Sequence, residues 1–216
     1  MKSQKVIHNS PKIKKLEPVG FDQFSEKDEH YVWERFIKGD NQSLIYIYRK
    51  YADILYRYGR QFTGRSEFIR DCIQELFYDL IDRRSKLSSA RSIKGYLFAA
   101  LKRMILRDIK KEERLQFEED GFSFSLVESS LSINPGLDIA DYAIIQKKLN
   151  GLPVSQREVI LLHFYEGLSY AEIADIMNIK VRSARALTYR ALDSLEKELS
   201  PFKGSLFMLL IHFAQY

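Results

Sequence analysis

The chain has 216 residues, of which 45% are hydrophobic and 13% aromatic, enough apolar material for one large or two small folded domains. Cys72 is the single cysteine, which excludes an intramolecular disulfide framework and a cysteine-based zinc cluster. The formal net charge is only +5, so the distribution of charge says more about partners than its sum. We expect no secretory signal, no membrane-spanning segment and no cofactor, and we therefore expect a cytoplasmic protein.

The first part of the chain predicts a tail and then two helices. Residues 1–27 combine several lysines with two prolines and show no periodicity, which indicates a flexible N-terminal tail. A first helix is predicted from His30 to Lys38, ending at Gly39. Asp40 or Asn41 then caps a longer helix. Its apolar and aromatic stripe predicts core packing and consists of Leu44, Tyr48, Tyr51, Leu55 and Tyr58.

A third helix is predicted within SEFIRDCIQELFYDLIDRR, with different residues on its two faces. The stripe predicted to be buried consists of Ile69, Ile73, Leu76, Phe77, Leu80 and Ile81. The opposite face is acidic and rich in hydrogen-bonding groups, and it consists of Asp71, Gln74, Glu75, Tyr78 and Asp82. On charge alone such a face is also typical of a solvated surface. Nothing nearby suggests a nucleophile or a metal ligand set, so we predict no catalytic role for these carboxylates.

A polar connection from Arg83 to Arg91 precedes a basic helix that begins near Ser92. Four cations follow one another on this helix at steps of four, three and four residues, and we call them the cationic row: Arg103, Arg107, Lys110 and Arg114. Such a row can follow a phosphate backbone over about three helical turns. The aromatic side chains Tyr96 and Phe98 lie beside it, and aromatic rings next to cations can stack on nucleic-acid bases.

Residues 115–143 contain six acids and neither lysine nor arginine. We predict a flexible acidic linker. The last predicted elements lie in the stretch LPVSQREVILLHFYEGLSYAEIADIMNIKVRSARALTYRALDSLEKEL. Ser155 with Glu158 and Ser169 with Glu172 both have capping-box spacing, and Gly167 supplies a left-handed helix end. A tight turn is predicted at Asn178.

The helix after this turn is basic at its start. It has no acid before Asp193, and its candidate DNA contacts are Lys180, Arg182, Ser183, Arg185 and Tyr189. A helix-turn-helix of this kind is typical of DNA-binding regulators in general.

Three groups of motifs narrow the interpretation. GLSYAEIADIMNI followed by YRALDSLEKEL resembles region 4 of the extracytoplasmic-function (ECF) group of sigma-70 family transcription initiation factors. DCIQELFYDL is similar to the D-x-x-Q-E-x-F pattern of sigma region 2.2, and GYLFAALKRMILRDIKKEER is similar to the Y/W-L-x-x-x-A-x-N pattern of regions 2.3 and 2.4. FIKGD precedes both. Arg103 departs from the family by replacing the usual Asn, and Ser183-Ala184 replaces the usual Thr-Val.

The resemblance implies an all-α protein of two small helical domains, without enzymatic activity. It implies that Asp71, Gln74, Glu75 and Tyr78 bind core RNA polymerase, where a basic coiled coil meets them. The implied −10 contacts are Tyr96, Arg103, Arg107, Lys110 and Arg114, with the Arg83–Arg91 loop holding a flipped base. The recognition-helix residues then read the −35 element. The resemblance also implies an anti-sigma partner, often one anchored in the inner membrane, and no small-molecule substrate.

The predicted organisation has five segments, namely tail 1–27, region 2 domain 28–114, linker 115–143, region 4 domain 144–200 and apolar C-terminal tail 201–216. The acidic linker is either a plain tether or, as the resemblance implies, an occupant of the polymerase RNA channel. The apolar tail caps a domain, docks a regulatory partner or touches a membrane. Two other functions stay open, a stand-alone helix-turn-helix regulator that acts without polymerase and a helical adaptor without a DNA role.

Overall fold

The computed structural model describes residues 29–88, 90, 92–113 and 139–199, and every regular element in these ranges is helical. The predicted tails 1–27 and 201–216 lie outside the described residues, as does most of the predicted linker. The helices are α1 (Glu29–Ile37), α2 (Asn41–Gly59), α3 (Ser66–Arg83), α4 (Ile93–Glu113), α5 (Ile139–Gly151), α6 (Val154–Ile160), α7 (Tyr170–Met177) and α8 (Val181–Leu199). A 3₁₀ turn, Arg84–Lys86, follows α3, and a π-helical turn, Leu161–Tyr165, extends α6.

Helices α1 to α4 form an N-terminal bundle around an aromatic core. Trp33, Phe36, Tyr51 and Tyr58 are almost completely buried there. The indole nitrogen of Trp33 donates to the carbonyl of Ser88 at 3.0 Å, which ties the connection after α3 to α1. The predicted buried stripe of α3 is confirmed except at Ile81, which is 43% exposed.

The start of α2 confirms one of the two predicted caps. Asp40 accepts hydrogen bonds from the backbone N–H of Gln42 at 3.1 Å and from the hydroxyl of Ser43 at 2.8 Å. The preceding Gly39 has φ +94°, a left-handed conformation that other residues rarely adopt, and it ends the first helix as predicted.

Helices α5 to α8 form a C-terminal bundle whose central residues are aliphatic, among them Leu149, Val159, Leu162 and Leu195. The local signals of its helix-turn-helix are confirmed. Ser169 and Glu172 form the predicted capping box, and Gly167 and Asn178 have φ values of +64° and +53°.

The second predicted capping box is wrong. Pro153 precedes α6 and no side chain caps this helix. Ser155 is the second residue of α6 rather than its N-cap, so it cannot form a capping box with Glu158. Glu158 is therefore available for another contact, described below. No helix in the described ranges combines the length and the apolar composition needed to cross a membrane.

Candidate core-polymerase and promoter-DNA interfaces

The acidic face of α3 lies on the surface of the N-terminal bundle. We call Asp71, Gln74, Glu75 and Tyr78 the acidic strip; all four side chains are exposed, and Tyr78 is 76% exposed. The opposite face of α3 is buried, so the strip is held on a rigid element rather than on a loop. The exposed apolar side chain of Ile81 lies one turn beyond Tyr78. The strip therefore combines negative charge with apolar area, the combination that a basic helical partner can contact.

Helix α4 presents the cationic row along one side. The residues of the row differ in their contacts. Arg103, Arg107 and Lys110 are exposed, whereas Arg114 lies outside the described residues. Arg107 is paired with Glu75 of the acidic strip at 3.2 Å and with Asp108 at 2.7 Å. Hydrogen bonds to these two carboxylates raise the pKa of Arg107, and the guanidinium hydrogen bond lowers the pKa of Asp108.

The aromatic residues beside the row do not match the expected stacking platform. Phe98 is completely buried and stacks on Tyr58 with ring centroids 4.4 Å apart. Tyr96 is partly buried and packs against Trp33 at 5.3 Å. Both rings belong to the aromatic core because α4 crosses α1 and α2 at this point. Stacking by Phe98 on a DNA base is excluded in this conformation. The Arg83–Arg91 loop is described only in part, since Ser89 and Arg91 lie outside the described residues.

The recognition helix α8 presents the expected residues together on one exposed surface. Arg182, Ser183, Arg185 and Tyr189 are exposed, and Lys180 lies immediately before the first residue of the helix. The carbonyl of Lys180 accepts the N–H of Ala184 at 3.0 Å, so this residue begins the hydrogen-bonded helix. Ala184 and Thr188 are buried against the rest of the bundle and fix which face of α8 points outward.

Arg185 contacts an aromatic side chain that the sequence did not predict as its neighbour. The guanidinium of Arg185 lies 5.5 Å from the centre of the Tyr170 ring, at the start of α7. The Tyr170 ring also stacks on His163 with centroids 4.4 Å apart, and His163 lies in the π-helical turn. Nothing in the sequence around Tyr170 indicated that its ring would contact Arg185.

Comparison with known proteins matches two separate segments of the chain to family models. Residues 47–115 match the family described as Sigma-70 region 2, and residues 142–195 match the family described as Sigma-70, region 4. The chain is 29% identical over 184 residues to the ECF RNA polymerase sigma-E factor of Escherichia coli (strain K12), covering 78% of this chain and 92% of that relative. It is 22% identical over 150 residues to the ECF RNA polymerase sigma factor SigM of Bacillus subtilis (strain 168), covering 69% and 91%.

The chain belongs to the ECF group of the sigma-70 family. Solved structures with the same fold include CnrH in complex with the cytosolic domain of CnrY, with a TM-score of 0.56 and 17% identity, covering 81% of this sigma factor and 99% of that chain. The sigma factor RpoE in complex with the anti-sigma factor NepR from Bartonella quintana gives a TM-score of 0.51 and 22% identity, covering 74% and 96%. The predicted family and the all-α, two-domain fold class are confirmed.

The two bundles of this sigma factor contact each other, which the sequence did not predict. Helix α4 packs against α7, and an open cavity of about 540 Å³ lies between them. Tyr96 and Arg103 line it from the N-terminal bundle, and Ser169, Glu172 and Asp175 line it from the C-terminal bundle. Two of the expected −10 residues therefore line a cavity shared with the helix-turn-helix, where Tyr96 is partly buried and Arg103 stays exposed.

The helix-turn-helix contributes a carboxylate to this contact. Burial by itself raises the pKa of Glu172. Hydrogen bonds from Ser169 and Ser92 and the charge of Lys94 lower it by more than burial raises it, so the pKa of Glu172 is below its ordinary value. Glu172 also lies against Gly95 of α4, where a Cβ would approach its Cγ to 3.3 Å. The absence of a side chain at Gly95 lets the two helices come this close.

Proposed function

We propose that this sigma factor binds core RNA polymerase through the acidic strip and directs promoter-specific transcription initiation through α4 and α8. The observation that carries the proposal is the exposed acidic strip on the same chain as an exposed basic recognition helix. A regulator that acts without polymerase needs the recognition helix but has no use for the strip. The comparisons do not favour that alternative either, because the family matches include region 2.

The proposed division of labour follows the charges. Asp71, Gln74, Glu75 and Tyr78 meet a basic surface of core polymerase. Tyr96 and the cationic row contact the −10 element, where Arg103 adds a charge in place of an amide. Lys180, Arg182, Ser183, Arg185 and Tyr189 meet the major groove of the −35 element, because a recognition helix places its N-terminal residues against base edges. Segment boundaries at 28–114 and 144–200, joined by the linker 115–143, suit this division.

We also propose a cellular location and a further binding partner for this sigma factor. The protein works in the cytoplasm, where core polymerase and promoter DNA are, and supplies specificity rather than an enzymatic step of its own. The solved structures of similar fold contain sigma factors with CnrY or the anti-sigma factor NepR, and we propose an anti-sigma partner here as well.

Co-elution with bacterial core polymerase in gel filtration tests the core contact. Wild type is expected to co-elute with core and to bind duplex DNA weakly when alone, and Asp71→Lys/Glu75→Lys is expected to abolish co-elution. The matched control is Asp193→Lys/Glu196→Lys, which changes net charge equally at two exposed carboxylates of α8 in the C-terminal bundle. Tight duplex binding by the free chain without co-elution would instead establish the stand-alone regulator.

A further inference from the structure

The contact between the bundles carries two ion pairs formed by residues far apart in the chain. Glu158 of α6 accepts a hydrogen bond from the Tyr58 hydroxyl at 3.0 Å and one from the Lys102 ammonium at 2.6 Å. Glu166, after the π-helical turn, pairs with Lys94 at 2.8 Å, and its carbonyl accepts a second bond from the same ammonium. Both donor lysines lie on α4, the helix that carries the cationic row.

These groups are withdrawn from water by the contact itself. Glu158 is only 5% exposed. Its carboxylate accepts hydrogen bonds from Tyr58 and Lys102, and both of these donors belong to the N-terminal bundle. Burial, followed by the charge of Glu158, raises the pKa of Tyr58 well above its ordinary value, so Tyr58 stays protonated and donates. A buried ion pair gains little net free energy because its desolvation is costly, but it strongly disfavours any arrangement that leaves one partner unpaired. The pairs therefore select one docking geometry without making it irreversible.

The closed arrangement is too small to reach both promoter elements. A compact body of the 144 described residues has a diameter of about 38 Å from the usual size scaling. By their names the −10 and −35 elements are centred about 25 base pairs apart, which is about 85 Å of duplex at about 3.4 Å per pair. The 25 residues between α4 and α5 span at most about 90 Å when fully extended, so their length permits separation of the bundles.

We propose that the surface formed by Tyr58, Lys94 and Lys102 is an interaction surface for carboxylates, and that Glu158 and Glu166 occupy it in the free chain as an intramolecular latch. The inference rests on the proposed function, because the latch places the C-terminal bundle beside the −10 residues Tyr96 and Arg103, which line the cavity between α4 and α7. The acidic strip and the recognition helix stay exposed in this closed state. Core polymerase can therefore bind the closed chain, and engagement of both promoter elements requires the latch to open.

Energy transfer between two labels on the full-length chain, without any partner, tests the latch. Labels are placed at Asp53→Cys in α2 and Glu196→Cys in α8, both exposed, in a Cys72→Ser background. Glu158→Lys/Glu166→Lys sets four cations against one another and is expected to lower transfer to that of an open chain. Adding Lys94→Glu/Lys102→Glu restores opposite charges and is expected to recover the wild-type value.

The matched control is Glu198→Gln, which removes an ion pair of the same 2.6 Å length between Glu198 and Lys148, both within the C-terminal bundle. Its transfer should equal that of wild type. Circular dichroism melting of each variant identifies any that fails to fold. If Glu158→Lys/Glu166→Lys is one of them, Lys94→Glu/Lys102→Glu alone sets four carboxylates against one another and is expected to lower transfer in the same way.

Affinity for a single-stranded −10 oligonucleotide gives a second readout. If the closed state holds about nine-tenths of the molecules, opening it tightens apparent binding by up to about tenfold. Glu158→Gln/Glu166→Gln should show part of this gain, and Glu196→Gln/Glu198→Gln, which changes net charge equally at two exposed carboxylates of α8, should not.

Two results would overturn the latch. Equal high transfer in wild type and in the charge-reversed chain would mean that apolar packing alone closes the molecule. Equal low transfer in both would mean that the free chain is open and that closure needs a partner. Failure of wild type to co-elute with core polymerase would refute the proposed function instead, and the transfer measurement would still report on the latch.

Discussion

Arg107 of α4 and Glu75 of α3 form an ion pair of 3.2 Å between a residue proposed to bind DNA and a residue proposed to bind core polymerase. Both side chains are more than half exposed, so solvent screens the pair and it is worth less than about 1 kcal/mol. A basic surface of core polymerase that approaches the strip competes with Arg107 for Glu75. Core binding then leaves Arg107 with fewer carboxylate contacts and better able to meet DNA.

The first prediction concerns this competition. Arg107→Ala frees Glu75, so we expect affinity for core polymerase to stay equal or to rise by less than about fivefold, whereas open-complex formation falls. Fluorescence titration with core and a promoter-opening assay measure the two quantities. Lys110→Ala is the control, since no ion pair ties Lys110 to the strip among the described contacts, and it should lower opening without changing core affinity. Weaker core binding by Arg107→Ala would refute the competition.

The second prediction separates base reading from phosphate contact. Arg185→Ala should lower transcription about 5- to 100-fold on promoters whose −35 element offers a guanine to Arg185, and little on others, because one bidentate base contact is worth about 1–3 kcal/mol. Lys110→Ala should weaken transcription on all promoters alike and lower the salt dependence of DNA binding by about one unit of slope. Transcription from a −35 library measures both, and uniform losses for both variants would contradict the assignment.

The third prediction concerns the aromatic support of Arg185. Tyr170 holds the guanidinium over its ring at 5.5 Å, a contact worth about 0.5–1 kcal/mol at an exposed site. Tyr170→Ala should therefore lower affinity for −35 duplex about two- to fivefold, and Tyr170→Phe, which keeps the ring, should not. In the Arg185→Ala background the Tyr170→Ala change should have no further effect. Additive losses would show that Tyr170 contacts DNA itself.

The fourth prediction uses the depressed pKa of Glu172. Its ordinary value is 4.5 and the folded value is lower, so Glu172 contributes stability above about pH 4.5 that disappears as the pH falls through the folded value. Glu172→Gln should lower the free energy of unfolding by about 1 kcal/mol at pH 7, the usual worth of a capping side chain, and by much less near pH 3. Urea unfolding at the two pH values measures this difference. Glu198→Gln provides a control with the same charge change, and an equal loss at both pH values for Glu172→Gln would rule out the carboxylate as the cause.

The sequence alone determined the features that depend on neighbouring residues. Asp40, Gly167, Ser169 and Asn178 set helix ends because capping and left-handed turns are decided within about four residues. The exposure of the acidic strip was predictable for the same reason, since helical periodicity assigns each residue to one face. The family resemblance then connected these surfaces to transcription.

The tertiary structure decided which residues pack against one another and which surfaces are buried. The spacing of Ser155 and Glu158 suggested a local cap, but Glu158 pairs instead with Tyr58, 100 residues away in the chain. Phe98 resembled an exposed stacking platform and is buried, because α4 crosses the aromatic core at that residue. Local spacing carries no information on contacts between residues so far apart. Only the packing of the helices brings the carboxylates of one bundle to the cations of the other.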